Sequence, residues 1–499
     1  MNTSEWISRS VSKLLPTAGS KKSRVTEPIP GAAGQAAIKA LDAAATDSSG
    51  TPQERTTHKR LVGTLRRKGE AMSPRELRRT LTDLHAVLDQ QISEVEGGRR
   101  AREFALAYAA ATPAQRRDRC LLMSEQFAPD PIRVRAARAQ YDAAQHTVDE
   151  GAAEISLRRA LVSPRQKLLQ RFAAFHGGVR FLVGLRAELL PQLRTEKRLL
   201  ALDAELENLF SSWFDVAFLE LRRISWDSPA SLIEKLIRYE AVHDIRGWDD
   251  VRNRLDSDRR CYGFFHPKLL NEPLIFVEVA LLHELPQAIM PLLDESAAAE
   301  DLSKAHTAIF YSISNTQPGL RGVSFGDSLI KRVVETLKDE FGNLKTFATL
   351  SPIPGFRGWL ESNAALMLGQ LDEKERPELG QALGCESPSA QQLLVAFQEV
   401  KTLELKSPLR QMLMKCAAYY LAQAQVEGKP IDLVARFHLG NGARVERLNW
   451  LGDPSPKGLK QSYGLMVNYL YDLRQLDKYR AQFAKGKIAI SADIRDLRF

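Results

Sequence analysis

The spacing of apolar residues changes near residue 208, and this change limits the folds that the chain can adopt. Before it, apolar side chains recur every three or four residues, which is the spacing of amphipathic helices. After it come short runs rich in β-branched and aromatic residues, which are typical of buried strands. A chain of 499 residues also exceeds the usual size of one domain. The sequence therefore predicts an α+β protein in which an N-terminal helical bundle precedes a mixed α/β domain.

Three similar segments mark helix starts in the first region, at Ser73, Thr112 and Ser163. Each offers a hydroxyl for the N-cap, a proline at the first helical position and a Glu or Gln at the third. The apolar residues that follow Ser73 continue at helical spacing to Val95, and the glycine pair at 97–98 is expected to end that helix. The first region is therefore predicted to contain several capped helices.

These patterns divide the chain into three parts. Residues 1–59 are rich in Ala, Ser, Thr, Gly and Pro without sustained apolar periodicity, so we expect a disordered tail. Residues 60–208 are expected to form the helical bundle, and residues 209–499 the mixed α/β domain. The bundle sequence has no polar cluster that suggests catalysis, which favours a scaffold role over the two functional alternatives, an assembly surface and a lid.

Apolar runs in the last part predict the strands of a mixed sheet, at residues 274–281, 307–314 and 344–350. Between the second and the third run, residues 329–341 place apolar side chains at helical spacing. Further on, residues 433–450 are interrupted by a Gly-Asn-Gly turn and predict a β-hairpin. His438 would then lie on the first strand of that hairpin.

Composition excludes several classes of protein. The chain is 44% hydrophobic and 26% charged, and no apolar run approaches the ~18 residues of a membrane span, so no membrane partner is expected. Cys120, Cys261, Cys385 and Cys416 are widely spaced, which suggests neither a zinc site nor a disulfide scaffold and suits a reducing cytoplasm. A net charge of +9 suits nucleic acid, a polyphosphate ligand or a diffuse excess of arginine, so charge alone decides nothing.

A glycine-containing turn between the second predicted strand and the following helix is a candidate phosphate site. It comprises Arg321, Gly322, Val323, Ser324, Phe325, Gly326 and Asp327. Glycines let the backbone approach a ligand closely, and free N–H groups at a helix N-terminus attract an anion. A plain turn in which Asp327 or Ser328 caps the helix explains the same residues. The turn by itself suits an anion such as a pyrophosphate and indicates no reaction.

Two resemblances connect these observations. The turn resembles the acyl-CoA pyrophosphate loop of GNAT N-acetyltransferases, with Ser324 where that loop usually has its middle glycine. Longer blocks resemble the malonyl-CoA decarboxylase family, at residues 260–262, 308–314, 319–322, 350–356, 435–439, 441–442 and 464–469. The second resemblance implies a helical N-terminal domain used in tetramer assembly, followed by a GNAT-like catalytic domain.

The same resemblance implies roles for individual residues. It implies malonyl-CoA as substrate, acetyl-CoA and carbon dioxide as products, and Ser351 and His438 as the catalytic residues. It places the substrate-binding loop at residues 321–327, although animal members carry a glutamate at the position of Ser324. No cofactor and no metal are expected, because the thioester itself accepts the electron pair that decarboxylation leaves, and no clustered metal ligands occur in the sequence.

Ser351 and His438 have side chains that suit this reaction. Ser351 precedes the stiff segment 352–354, so its hydroxyl is expected to hold the departing carboxylate or to donate to the enolate. The imidazole of His438 titrates near neutral pH and is expected to protonate the α-carbon. Without the resemblance, a turn-capping serine and a structural histidine of the kind expected at His283 and His306 explain these residues as well.

Two other functions stay open on the sequence alone. An acetyl-CoA-dependent N-acetyltransferase would use the same turn and would pass the acetyl group to an amine. A nucleic-acid-binding protein would use the arginine-rich helices, and its affinity would fall steeply with salt. The favoured hypothesis is a cytoplasmic homotetrameric malonyl-CoA decarboxylase that binds neither nucleic acid nor membrane.

Overall fold

The computed structural model describes residues 71–89, 91–323 and 329–499, which form two compact units. The described residues between 71 and 215 together with residues 317–323 form a helical unit, and residues 216–316 with residues 329–499 form a mixed α/β unit. The predicted fold class, a helical region followed by a mixed α/β domain, is confirmed. The predicted tail and the turn residues 324–327 lie outside the described residues.

Eight α-helices occur in the described part of the helical unit. They are α1 (Pro74–Val87), α2 (Glu94–Ala109), α3 (Pro113–Gln126), α4 (Pro131–Ala144), α5 (Glu150–Leu161), α6 (Pro164–Ala174), α7 (Gly178–Leu189) and α8 (Leu200–Trp213). Aromatic rings join α2, α6 and α7, with the ring centroid of Phe172 5.3 Å from that of Phe104 and 5.5 Å from that of Phe181. These contacts form part of the core that the helical spacing predicted.

The three predicted helix starts are confirmed. The Ser73 and Thr112 side chains each accept a hydrogen bond from a backbone N–H in the first turn, and both complete capping boxes. Ser163 caps α6 in the same way through the N–H of Arg165. A proline at the first position loses no hydrogen bond there, because that N–H has no partner within a helix.

The predicted end of the first helix is wrong. Helix α1 ends at Val87, and Ser93 caps a new helix that contains Gly97 and Gly98. A Cβ atom on Gly97 would lie 3.3 Å from the carbonyl oxygen of Val87, so this glycine allows close packing between α1 and α2. Val95, expected on the apolar stripe, is 85% exposed.

The mixed unit contains a sheet of eight strands in its described residues. They are β1 (Glu220–Ile224), β2 (Arg259–Phe265), β3 (Pro273–Leu282), β4 (Thr307–Asn315), β5 (Thr346–Thr349), β6 (Ser351–Pro352), β9 (Arg444–Asn449) and β10 (Met466–Leu470), and a separate pair is formed by β7 (Gln425–Val426) and β8 (Lys429–Pro430). The order is β1-β2-β3-β4-β5-β10-β6, and β9 pairs with β10. Strands β4 and β5 are parallel, whereas the other pairs are antiparallel.

The described residues of the mixed unit also contain eleven α-helices. They are α9 (Ala230–Tyr239), α10 (Trp248–Arg254), α11 (Leu329–Glu340), α12 (Phe356–Gly369), α13 (Glu375–Leu383), α14 (Ala390–Ala396), α15 (Pro408–Ala422), α16 (Leu433–Gly440), α17 (Pro456–Ser462), α18 (Leu476–Ala484) and α19 (Ala492–Asp496). Every residue of β2 and β3 is buried. The sequence of β3 is correspondingly apolar apart from Glu278, whereas β2 begins with Arg259 and Arg260, which pair with Asp258 and Glu340. In the part of the chain that the structure describes, no helix combines the length and apolar character needed to cross a membrane.

The three predicted strands and the predicted helix after residue 328 are confirmed, but the predicted hairpin is wrong. Its first arm is helix α16, and its second arm, β9, pairs with β10 instead. Asp432 caps α16 by accepting a hydrogen bond from the N–H of Ala435. The buried residues Ala435, His438 and Leu439 are spaced by three and four residues, which places them on one helix face. This short apolar segment therefore forms a helix, because only one of its faces is buried.

Candidate active site

The mixed unit brings Ser351 and His438 together. Ser351 begins β6, and His438 lies in the last turn of α16. The Ser351 Oγ atom is 3.3 Å from His438 Nε2, although 87 residues separate the two in sequence. Ser351 is 6% exposed and His438 is 3% exposed. A hydroxyl and an imidazole in contact within a buried site are suited to proton transfer.

Two tyrosines surround the imidazole of His438. The Tyr471 hydroxyl lies 2.7 Å from Nδ1, and the ring of Tyr469 stacks on the imidazole with centroids 4.7 Å apart. Burial lowers the pKa of His438 to about 3. The imidazole is therefore neutral at cellular pH unless a negative charge comes close to it.

The hydrogen bonds of Ser351 select the tautomer of this neutral imidazole. The Ser351 hydroxyl donates to Thr349 Oγ1 at 2.9 Å, and the N–H of Tyr469 donates to the same oxygen at 3.1 Å. Because the only proton of the Ser351 hydroxyl is used there, His438 Nε2 must donate to Ser351 Oγ. Nδ1 then accepts from the Tyr471 hydroxyl. The Nε2 proton thus points at Ser351.

Asp432 connects the elements that carry the two catalytic candidates. Its carboxylate is 2% exposed, caps α16 and lies 3.4 Å from the hydroxyl of Tyr420 on α15. Burial raises its pKa, and the backbone N–H of Gly355 is among the groups that oppose this shift. A Cβ atom on Gly355 would lie 2.5 Å from the Tyr420 hydroxyl oxygen, so a larger residue here would displace the Tyr420 side chain. The turn after Ser351 and the helix of His438 therefore meet at one buried carboxylate.

The strands beside Ser351 separate at the site. Parallel pairing of β4 with β5 ends at Phe310 and Thr349, whereas β4 continues to Asn315. Ser351 pairs instead with Val467 of β10. A strand that continues past its neighbour offers backbone donors and acceptors to an extended ligand.

The predicted phosphate turn is described only in part. Arg321, Gly322 and Val323 belong to the helical unit through their packing, while Ser324, Phe325, Gly326 and Asp327 lie outside the described residues. Gly322 has a φ of 84°, a left-handed conformation that favours glycine. Residues 317–323 are called the anchored segment below. The structure thus describes Ser351 and His438 in one unit and the anchored segment in the other.

In residues 71–89, 91–323 and 329–499, no group of three or more His, Cys, Asp or Glu side chains could hold a metal ion. Cys120, Cys261 and Cys416 are buried free thiols, and Cys385 is a half-buried one. The geometry of the site is therefore built from hydroxyls and an imidazole.

Two family models match the chain in succession. The N-terminal domain model of malonyl-CoA decarboxylase matches residues 127–214, and the C-terminal domain model matches residues 217–498. The chain belongs to the malonyl-CoA decarboxylase family. The resemblance stated from the sequence blocks is confirmed, and membership of a decarboxylase family makes the chain a carboxy-lyase.

Animal relatives and bacterial structures agree with this assignment. Mitochondrial malonyl-CoA decarboxylase of Anser anser anser is 35% identical over 444 residues, which cover 85% of this chain and 88% of the relative. The mitochondrial enzyme of Mus musculus is 40% identical over 65% of this chain and 68% of its own length. The crystal structure of malonyl-CoA decarboxylase from Rhodopseudomonas palustris is 42% identical with a TM-score of 0.73, and that from Agrobacterium vitis is 39% identical with a TM-score of 0.74. They cover 85% and 84% of this chain, and 100% of each bacterial chain.

Sequence reasoning missed three residues of this candidate site, Thr349, Asp432 and Tyr471. Thr349 lies two residues before Ser351 in a strand-like run, so the alternation of side chains places both on one face. Asp432 before an apolar run is an N-cap signal that predicts α16 instead of a strand. Tyr471 follows directly after β10, and no local pattern singles it out.

Proposed function

We propose that this chain converts malonyl-CoA to acetyl-CoA and carbon dioxide, with Ser351 and His438 as catalytic residues. The observation that carries the proposal is the 3.3 Å contact between Ser351 Oγ and His438 Nε2 inside a buried site of a decarboxylase-family chain. A hydroxyl and an imidazole in this position can serve both halves of the reaction, carbon–carbon cleavage and protonation.

Cleavage breaks the bond between the α-carbon and the carboxylate of the malonyl group. The electron pair of that bond moves to the α-carbon and is delocalised onto the thioester oxygen, and carbon dioxide leaves. Preorganised donors that face the developing oxyanion lower the barrier, typically by about 3 kcal/mol for each donor. The hydroxyl of Ser351 is the proposed donor, since it can turn from Thr349 toward the carboxylate or the enolate oxygen.

Protonation then completes the product. Burial lowers the pKa of His438 to about 3, but the carboxylate of a bound malonyl group would raise that pKa because it stabilises the imidazolium. The neutral imidazole would take up one proton from solvent at Nδ1 when substrate binds. As carbon dioxide leaves, the negative charge moves to the enolate, and the Nε2 proton of the imidazolium is transferred to the α-carbon, which leaves a neutral imidazole with its proton on Nδ1. Substrate thus brings the charge that makes His438 an acid, and Tyr471 orients the ring through Nδ1.

The opening between β4 and β5 suits the thioester arm. β4 continues to Asn315, beyond the end of its pairing with β5 at Phe310, and Ser351 lies two residues after the end of β5 at Thr349. An extended amide-containing arm could add to that strand through backbone hydrogen bonds, as in β-augmentation. Its thioester would then reach Ser351. The pyrophosphate is assigned to Arg321, Gly322 and Val323 together with Ser324, Phe325, Gly326 and Asp327, of which the last four lie outside the described residues.

A homotetramer assembled through the helical unit belongs to the same proposal. The helices α4 and α5 pack on each other and each buries a single residue, Ala137 and Ala160 respectively. Four apolar residues on or next to these helices are 51% to 58% exposed, namely Ile132, Ile155, Leu161 and Val162. Apolar side chains of this kind are suited to contact with a second copy. A cytoplasmic location is proposed from the four free thiols.

Release of carbon dioxide from malonyl-CoA without an added amine tests the proposed activity. We expect carbon dioxide and acetyl-CoA in equal amounts, whereas acetyl transfer that needs an amine acceptor would support the N-acetyltransferase alternative. Methylmalonyl-CoA, measured in parallel, would define how much bulk the site accepts at the α-carbon. Light scattering on the full chain would test the tetramer, and a monomeric mass would reject it.

A further inference from the structure

The pairing of β10 changes from one strand to another beside Ser351. β10 pairs with β5 through Leu470 and with β6 through Val467. Between these two positions the side chain of Asn468 bridges the strands, since its Nδ2 atom donates to the carbonyl oxygen of Thr349 at 2.7 Å. Asn468 is fully buried. The carbonyl of the residue that accepts the Ser351 proton is therefore bound by a side chain.

Arg447 on β9 determines which way the amide of Asn468 points. It lies opposite Asn468 in the register of β9 and β10, and its Nε atom is 3.2 Å from Asn468 Oδ1. A guanidinium only donates, so it requires an oxygen at this place, and Nδ2 is left to face Thr349. Asn449, two residues along β9 on the same face, donates to the same oxygen at 2.8 Å. Both contacts favour the same orientation of the Asn468 amide.

The guanidinium of Arg447 is itself held in place. Its Nη2 atom donates to the carbonyl oxygens of Leu285 and Pro286, each at 3.0 Å, and its Nε atom also donates to Asn449 Oδ1 at 2.9 Å. The donors of a guanidinium lie in one plane, so bonds at Nη2 also limit the direction of the Nε proton. A fixed backbone thus sets the guanidinium, and the guanidinium sets the amide that binds Thr349.

The position of Thr349 determines what the Ser351 hydroxyl can do. Its Oγ1 atom accepts from that hydroxyl at 2.9 Å and from the N–H of Tyr469 at 3.1 Å. While this acceptor is in place, the Ser351 proton points away from His438, and Nε2 keeps a proton of its own. If Thr349 moved, the Ser351 hydroxyl could donate to Nε2 instead. The imidazole would then carry its proton on Nδ1, which is the wrong tautomer for protonating the α-carbon from Nε2.

We propose that Asn468 is a positioning residue for decarboxylation, because it holds Thr349 where the Ser351 hydroxyl can donate to it. Arg447 sets the direction of the Asn468 amide. This inference rests on the proposed function, in which Ser351 and His438 act on the substrate. The residues involved all belong to the mixed unit. Because Asn468 acts through Thr349, the expected signature is slower chemistry with unchanged CoA binding.

Asn468→Asp tests the amide without changing the size of the side chain. A carboxylate keeps the oxygen that faces Arg447, but it replaces the donor by an oxygen 2.7 Å from the Thr349 carbonyl. We expect kcat for malonyl-CoA to fall about tenfold or more, the factor for one buried hydrogen bond lost, and Kd for acetyl-CoA to stay within about twofold. Asn253→Asp is the matched control and should change neither constant, since Asn253 Nδ2 donates to the Leu292 carbonyl at 3.2 Å in the same unit.

A Ser351→Ala background separates positioning from a general structural role. Without the Ser351 hydroxyl, the placement of Thr349 has nothing left to orient, so Asn468→Asp should lower the remaining kcat by less than about twofold. An equal fall of kcat in both backgrounds would overturn the inference. A wild-type kcat in Asn468→Asp, or equal kcat values in Asn468→Asp and Asn253→Asp, would also do so.

Thr349→Val and Thr349→Ser serve if Asn468→Asp does not fold. Serine keeps the hydroxyl that accepts the Ser351 proton and valine removes it, so kcat should be about tenfold lower in Thr349→Val than in Thr349→Ser. Equal kcat values in these two variants would overturn the inference, because Asn468 would then have no hydroxyl to act through. Failure of the wild-type chain to release carbon dioxide would instead reject the proposed function.

Discussion

Two buried polar clusters of this molecule differ in how their charges are compensated. The cluster around Arg186, on α7, pairs one cation with the carboxylates of Asp203 and Glu207 and with backbone carbonyls of the anchored segment. The side chains that directly contact the His438 imidazole, those of Ser351, Tyr469 and Tyr471, carry no charge that would stabilise an imidazolium, and burial lowers the pKa of the imidazole to about 3. A compensated charge holds a backbone in place, since removing any partner is costly. An uncompensated site keeps its base neutral until a charged substrate enters, which is a property that suits catalysis.

The largest expected effect concerns His438. His438→Asn should lower kcat by roughly 10²–10⁴, the range for lost general acid catalysis, while Kd for acetyl-CoA stays nearly the same. Steady-state kinetics with malonyl-CoA and calorimetric titration with acetyl-CoA measure the two quantities. Retention of wild-type kcat would show that His438 is not the acid and would remove the contrast between the two clusters.

A double variant sharpens this prediction. Ser351→Ala should also lower kcat with little effect on binding, because Ser351 contacts the same reacting groups as His438. Residues that act on one intermediate lose activity in a non-additive way, so the double variant should lose far less than the product of the single losses. Multiplicative losses would indicate independent roles and would contradict a Ser351–His438 pair.

The next effect in size tests the tautomer of His438. Tyr471→Phe removes the hydroxyl that lies 2.7 Å from Nδ1, and we expect kcat to fall about tenfold or somewhat more, because a buried acceptor loses its partner. Tyr469→Phe is the control, since its ring stacks on the same imidazole but its buried hydroxyl has no hydrogen-bond partner among the described residues. Similar kcat values in the two variants would mean that ring packing alone orients His438.

The last effect concerns stability in acid instead of rate. The pKa of His438 is lowered from 6.5 to about 3 by burial, so the unfolded state binds a proton below about pH 6.5 while the folded state does not. Between pH 6.5 and 5 this difference should reduce the free energy of unfolding by about 2 kcal/mol. Urea denaturation at both pH values measures this change. In His438→Asn the free energy of unfolding should fall by less between pH 6.5 and 5 than it does in wild type.

His243 provides the internal comparison for that experiment. Burial lowers its pKa to about 4, so its protonation in the unfolded state also reduces the free energy of unfolding in acid. This contribution remains in the His438 variant. His243→Asn should therefore also make the drop in the free energy of unfolding between pH 6.5 and 5 smaller. The effects of the two substitutions should add if the two sites do not interact. If the free energy of unfolding fell as much in His438→Asn as in wild type between pH 6.5 and 5, His438 would have to become protonated in the folded state as well.

Local chemistry determined much of this protein. Hydroxyl and proline residues at Ser73, Thr112 and Ser163 specified helix starts, because the caps satisfy backbone donors within a few residues. Runs of β-branched and aromatic residues specified β3 and β4, whose burial on both faces leaves no other environment for them. The family blocks around Ser351 and His438 identified the catalytic candidates, and the structure places those two side chains in contact.

Tertiary structure decided the rest. A short apolar run such as residues 433–439 fits either a strand or a helix, and only burial on one side together with the Asp432 cap selected α16. Gly97 and Gly98 could end a helix or allow close packing, and the neighbouring helix determined which. Tyr471 contacts His438 across 33 positions of sequence. Arg186 contacts the anchored segment across more than 130 positions. Contacts over such separations depend on how the elements pack, which no local pattern in the sequence encodes.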